Sequence, residues 1–78
     1  MENQTLIEEF HKNSIEKVKV HLQGFKGNIY IDMRVWKLEG PPGETTEIAT
    51  KKGICLAVEK LPDLIRSLQA AWDYHQGS

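Results

Sequence analysis

Two stretches of this chain alternate between apolar and polar residues, and a pair of β-strands with one dry and one wet face is what such a pattern can build. In Lys17-Val18-Lys19-Val20-His21-Leu22, the residues Val18, Val20 and Leu22 share one side, and Lys17, Lys19 and His21 share the other. From Asn28 to Trp36, Ile29, Ile31, Met33 and Val35 face one way, while Asn28, Tyr30, Asp32, Arg34 and Trp36 face the other. A period of two belongs to strands because successive side chains point to opposite faces. Between the two runs, Gly24-Phe25-Lys26-Gly27 interrupts the alternation with two glycines, as a hairpin connection would. One apolar and one polar face suit an antiparallel sheet covered on one side only.

Beyond the hairpin, Gly40-Pro41-Pro42-Gly43 is the strongest turn signal, since Pro cannot serve an interior ladder and Gly permits positive φ. The β-branched stretch from Thr45 to Thr50 predicts a third strand. Lys51-Lys52-Gly53 then reads as a tight basic corner, and Ile54-Cys55-Leu56 as a short fourth strand. From about Val58 the spacing turns helical: Leu61, Leu64, Ile65, Leu68 and Trp72 form a single apolar stripe, with Pro62 restricted to the first turn. This stripe is expected to cover the inner face of the sheet. Leu6, Ile7 and Phe10 show only a fragment of helical spacing, too short to be stable alone. The expected organisation is a flexible N-terminal arm over residues 1–14 and one α+β domain over residues 15–76. Its order is ββββα, a four-stranded twisted antiparallel sheet followed by a C-terminal helix.

Seventy-eight residues leave no room for a second core. A chain of this size buries only about 60% of its unfolded surface, which makes it marginal as a monomer and favours association. No apolar run reaches the roughly 18 residues of a membrane-spanning helix. The first ten residues carry acids where a signal peptide has bases, and Cys55 is the sole cysteine. An intracellular protein is the resulting expectation. The net charge of −1 hides a division. Residues 1–16 set four acids against Lys12, for −3; residues 17–56 set seven bases against four acids, for +3; residues 57–78 come to −1. The middle of the chain is basic between acidic flanks.

Catalysis needs a convergent set of reactive groups, and few are present. His11, His21 and His75 do not share the spacing of a metal motif, Cys55 has no companion thiol, and no phosphate-binding glycine fingerprint opens a helix. The expectation is a protein without enzymatic activity, metal or cofactor. The polar face is more informative. Lys17, Lys19, His21, Tyr30, Arg34 and Trp36 project from neighbouring strands onto one surface. Cations there would track a phosphate backbone, and exposed rings would stack on unpaired bases. The same residue types also serve a solvated face, since Tyr and Trp are good strand formers and Lys blocks edge pairing. Both readings stand on pattern alone.

The order of several short motifs resembles the family of the transcriptional coactivator called positive cofactor four. They are Phe25-Lys26-Gly27, Ile31-Asp32-Met33-Arg34 followed closely by Trp36, Lys51-Lys52-Gly53-Ile54, and a terminal amphipathic helix. The match runs in order from about Lys17 to Leu68. The resemblance implies a twisted four-stranded sheet, one helix, and a homodimer whose strands form paired grooves for single-stranded or melted DNA. No long Ser-rich regulatory region is present, as in compact bacterial members, which implies a cytoplasmic location at the nucleoid. Residue by residue, Phe25 and Lys26 match the loop that sets an aromatic and a base against DNA. Arg34 matches the strand arginine, Trp36 falls in the aromatic cluster, and Lys52, with Lys51 beside it, matches the lysine before the glycine turn.

The full expected nucleic-acid surface is Lys17, Lys19, Phe25, Lys26, Asn28, Tyr30, Arg34, Trp36, Lys37, Lys51 and Lys52. Asn28 stands where the family commonly has a base, and Lys37 where it has a second aromatic. Those departures and the pI near 6.3 imply weaker, more salt-sensitive binding. The resemblance implies a non-enzymatic single-stranded-DNA-binding regulator of transcription that engages DNA and the transcription machinery. The alternatives are a dimeric protein-interaction module with the same fold, or an RNA-binding variant. The helix stripe, flanked by Ala70, Ala71 and Tyr74, is expected to hold the dimer together.

Overall fold

The computed structural model describes residues 3–77. Four strands, β1 (Asn3–Asn13), β2 (Glu16–Phe25), β3 (Asn28–Glu39) and β4 (Thr46–Ala57), form one antiparallel meander in the order β1-β2-β3-β4. A 3₁₀ turn at Val58–Lys60 leads into helix α1 (Leu61–Gly77). The ββββα order is the one expected, but its strands are distributed differently.

The two alternating runs are β2 and β3. Their register sets Lys17 opposite Trp36, Lys19 opposite Arg34, His21 opposite Asp32, and Phe25 opposite Asn28. Only Lys26 and Gly27 lie between the paired ends, at φ +52° and +79°. Two consecutive positive φ angles are what a type I′ hairpin turn requires, and that turn matches the right-handed twist of the strands. At the next connection, the Glu44 amide donates to the Pro41 carbonyl at 3.0 Å, with Pro42 and Gly43 at the corners. Gly43 has φ +86°, the positive value a type II turn needs at that place.

Two expectations change. Residues 3–13, read from sequence as part of a loose arm, form edge strand β1, paired with β2 from Asn3↔Gly24 to Asn13↔Glu16; Met1 and Glu2 lie outside the described residues. The register slips between Leu6 and Glu8, so an extra residue shifts the side-chain phase midway. Leu6 falls opposite His21 and Phe10 opposite Val18, on different faces, which erases the period-two signal. The expected third and fourth strands are likewise one strand, β4. The supposed corner is a bulge in which Thr50, Lys51 and Lys52 stand between the pairs Trp36↔Ala49 and Arg34↔Gly53.

Side chains hold the bulge closed. The Thr50 hydroxyl donates to the Val35 carbonyl at 2.7 Å and accepts from the Lys52 amide at 3.2 Å. Arg34 Nη1 donates to the Thr50 carbonyl at 3.1 Å. Gly53 ends the bulge at φ +152°, where a Cβ would overlap the Met33 carbonyl oxygen and lie 2.7 Å from Arg34 Cα.

The helix does not cover the sheet, contrary to expectation. Leu61 and Leu64 in its first turn are half-buried, but Ile65, Leu68 and Trp72 are each more than half exposed. On the sheet, Ile31 is buried, whereas Ile29, Ile48 and Ile54 are exposed. The radius of gyration is 14.9 Å, against about 11–12 Å for a compact chain of this length. The helix projects because the 3₁₀ turn directs it off the end of β4, and the chain alone leaves two apolar surfaces open to water.

Gly53→Ala is expected to lower stability by more than about 2 kcal/mol, because the new Cβ must displace the β3 backbone. Urea unfolding at fixed protein concentration measures this; an unchanged midpoint would mean that β3 can shift freely.

Candidate nucleic-acid interface

Because β2 and β3 alternate in register, their polar side chains converge on one face. β1 adds Glu9 opposite Lys19 and Gln4 opposite Gln23; β4 adds Ala49 opposite Trp36 and Cys55 opposite Asp32. The face curls on itself. Lys19 is 9%, His21 7% and Asp32 3% exposed, so its centre is enclosed although the residues are polar.

Enclosure of charge demands compensation, and the outer strands supply it. Glu47 of β4 reaches across β3 to two lysines of β2. Its carboxylate accepts from Lys17 Nζ at 3.2 Å and from Lys19 Nζ in a short contact. Glu9 of β1 lies 3.7 Å from both ammonium groups. Lys19 Nζ also sits 4.5 Å from the centroid of the Trp36 ring, a cation–π distance. Hydrogen bonds from Lys19 and then Lys17 hold the Glu47 carboxyl below its usual range, and the bond to Glu47 raises Lys17. Arg34 grips Asp32 in a two-point pair, Nε to Oδ2 at 3.2 Å and Nη2 to Oδ1 at 2.7 Å. That bond to Asp32 is the main cause of the upward shift of the guanidinium. Arg34 is therefore tied by three hydrogen bonds to Asp32 and the bulge carbonyl, the pairing with Asp32 that sequence left open.

The expected surface residues divide into groups. Lys17, Lys19, Tyr30, Arg34 and Trp36 share the curled face, with the first two lysines and Arg34 paired to carboxylates. Phe25 and Asn28 close the β2–β3 end of the same face as a cross-strand pair. Phe25 is 43% exposed, with Lys26 Nζ 5.2 Å from its ring centroid at the hairpin corner. Lys51 and Lys52 are exposed on the bulge beside Arg34. Lys37 belongs to the opposite phase of β3 and pairs with Glu39 at 3.2 Å. Trp36 is half-buried, and its Nε1, like Nδ1 of His21, has no hydrogen-bond partner among the described residues.

Sequence reasoning missed Glu9, Glu47, Gln4, Gln23 and Thr50. The phase of Glu47 is hidden by the bulge, and Glu9 and Gln4 lay in the supposed arm. Gln23 continues the polar side of the first alternating run and was within reach of the pattern.

A curled four-stranded meander with a polar inner face, a basic bulge and an aromatic hairpin tip, followed by one helix, defines a small class of β-sheet modules. The family model described as Transcriptional Coactivator p15 (PC4) matches residues 12–67, and the chain belongs to that family. Solved structures share the fold. BPSL1147, a PC4 homolog from Burkholderia pseudomallei K96243, superposes at TM-score 0.76 in its tetragonal form, with 20% identity over 88% of this chain and 97% of that one. Its orthorhombic form gives 0.77, at 20% identity over 91% and 92%. The bacteriophage T5 homolog of the eukaryotic transcription coactivator PC4, implicated in recombination-dependent DNA replication, gives 0.71, at 20% identity over 95% and 82%. Among curated proteins none matches. Among the described residues, no helix is long and apolar enough to cross a membrane.

Because Glu47 ionises more readily folded than unfolded, its contribution to stability is present above the usual carboxylate value of 4.5 and disappears as pH falls through its lower folded value. Urea midpoints followed downward from pH 7 should therefore drop in the acid range. Glu47→Gln should start lower at neutral pH and lose less on acidification; an identical acid profile would remove Glu47 from the network.

Proposed function

We propose that this chain is a non-enzymatic single-stranded-DNA-binding protein that works as a homodimer inside the cell, in transcription or in other transactions of melted DNA. The observation that carries this reading is the hairpin tip. Phe25 is presented to solvent with the Lys26 ammonium over its ring, on a two-residue turn that keeps both at the end of the polar face. An exposed ring beside a cation is the minimal unit for stacking a base while holding its phosphate. Lys51 and Lys52 on the bulge supply further phosphate contacts. Trp36 and Tyr30 line the face between these points, with Asn28 beside the tip, while Lys17, Lys19 and Arg34 support it from within. Lys37 lies at its margin. Family membership supports DNA binding and a coactivator-like role, and the phage homolog's link to recombination-dependent replication suggests that the role extends beyond transcription.

The dimer follows from what one chain leaves uncovered. The stripe of Ile65, Leu68 and Trp72 and the apolar side of the sheet are complementary surfaces, and a second copy can bury both. A second reading, a dimeric interaction module without useful affinity for nucleic acid, is favoured by one observation: Glu9 and Glu47 already neutralise the central lysines.

A titration with single-stranded DNA, duplex DNA and RNA of equal length at two salt concentrations separates the readings. Single strands should bind more tightly than duplex, and Phe25→Ala should cost about 1–3 kcal/mol of single-strand affinity with the fold intact. Removing Lys51 and Lys52 together should weaken binding to all sequences and reduce the salt slope by about 0.7 for each phosphate no longer neutralised. Equal affinity for duplex and single strand, or no binding, would favour the interaction module. Sedimentation should show a dimer at micromolar concentration that Leu68→Glu converts to monomer; a wild-type monomer would refute the dimer.

A further inference from the structure

The curled face contains a hollow of about 280 Å³ to which every strand contributes: Gln4 from β1, Gln23 from β2, Asp32, Arg34 and Trp36 from β3, and Ala49 from β4. Sites for drug-sized molecules begin at about 300 Å³, so this one suits a single ring system and not a length of chain. Its cations are committed. Arg34 is bound to Asp32 and to the Thr50 carbonyl, and Lys19 to Glu47, which leaves no local charge to hold a phosphate. The walls are instead flat, made by the Trp36 indole and the immobilised Arg34 guanidinium, two surfaces on which an unpaired base stacks.

The hollow also has a polar edge. Gln4 Nε2 donates to Gln23 Oε1 at 3.2 Å, which ties the two amides side by side. Gln4 Oε1 is left as an acceptor, and Gln23 Nε2 as a donor engaged only by Cys55 Sγ at 3.5 Å. Asp32 adds acceptor lone pairs beyond those used by Arg34. Acceptors outnumber donors at this edge. The small side chain of Ala49, opposite Trp36, leaves the space open. Trp36 Nε1 without a partner fits a surface shaped for something other than stability alone.

We propose that this hollow takes one unstacked base of the bound strand and prefers bases that carry an exocyclic amino group, such as cytosine, over thymine. The proposal rests on the strand-binding reading above and adds a base preference at one position to it. Lys26, Lys51 and Lys52 would hold phosphates outside while the ring enters between Trp36 and Arg34.

The test compares oligo-dC with oligo-dT of equal length at one salt concentration, for the wild type, Gln4→Ala and Ala49→Leu. The wild type should favour oligo-dC roughly 3- to 10-fold, the value of one or two net hydrogen bonds. Both variants should bring the ratio to one while retaining oligo-dT binding, Gln4→Ala by removing an acceptor and Ala49→Leu by filling the space. Equal affinities in the wild type, or a preference that survives Ala49→Leu, would overturn the proposal. In parallel, the side-chain amide resonances of Gln4 and Gln23 are followed with millimolar cytidine alone. If no strand binds but cytidine shifts them in the wild type and not in Ala49→Leu, the hollow stands and the strand-binding reading falls. If cytidine shifts neither resonance, the hollow has no base specificity.

Discussion

The contact of Glu47 with Lys17 and Lys19 is the interaction on which the polar face depends. It joins β4 to β2 across the intervening strand, which two long side chains can do only over a sheet that curls toward them. Without it, an ammonium 9% exposed would be left largely uncompensated, a state that proteins avoid because desolvation of a lone charge is expensive. The bond also presses Lys19 onto the Trp36 ring and so fixes the indole that lines the hollow. One carboxylate thus organises charge, aromatic placement and curvature together.

The β4 bulge meets the same requirement from the backbone side. Three residues opposite one bend the strand and increase its local twist. Thr50 recovers the Val35 carbonyl that the bulge would orphan, and Arg34 recovers the carbonyl of Thr50. Lys51 and Lys52 are carried outward on the same bend. A basic pair on a regular strand would have pointed to opposite faces; on the bulge both remain exposed.

Two apolar surfaces and one polar concavity divide the molecule's work. The convex side of the sheet and the stripe on α1 lack a covering within the chain, and together they account for a radius of gyration well above that of a compact domain. The concave side is satisfied internally. Association therefore has one side of the molecule to use, and ligand the other, so a dimer can form without occluding the polar face.

The sequence by itself determined β2, β3 and α1, because each carries an unbroken period, two or 3.6, that needs no partner to be read. It also determined the hairpin at Lys26-Gly27, the turn at Pro42-Gly43, and the order of motifs that marks the family. Tertiary structure alone decided β1, since the slip between Leu6 and Glu8 places Leu6 and Phe10 on opposite faces and cancels the alternation. It decided that β4 is one strand, because a bulge looks locally like a turn and only the ladder on β3 shows the chain continuing. It decided that the helix projects and that Lys17, Lys19 and Arg34 are paired. Charge compensation joins residues about thirty positions apart, and no period in the sequence records which acid a curled sheet will bring to which base.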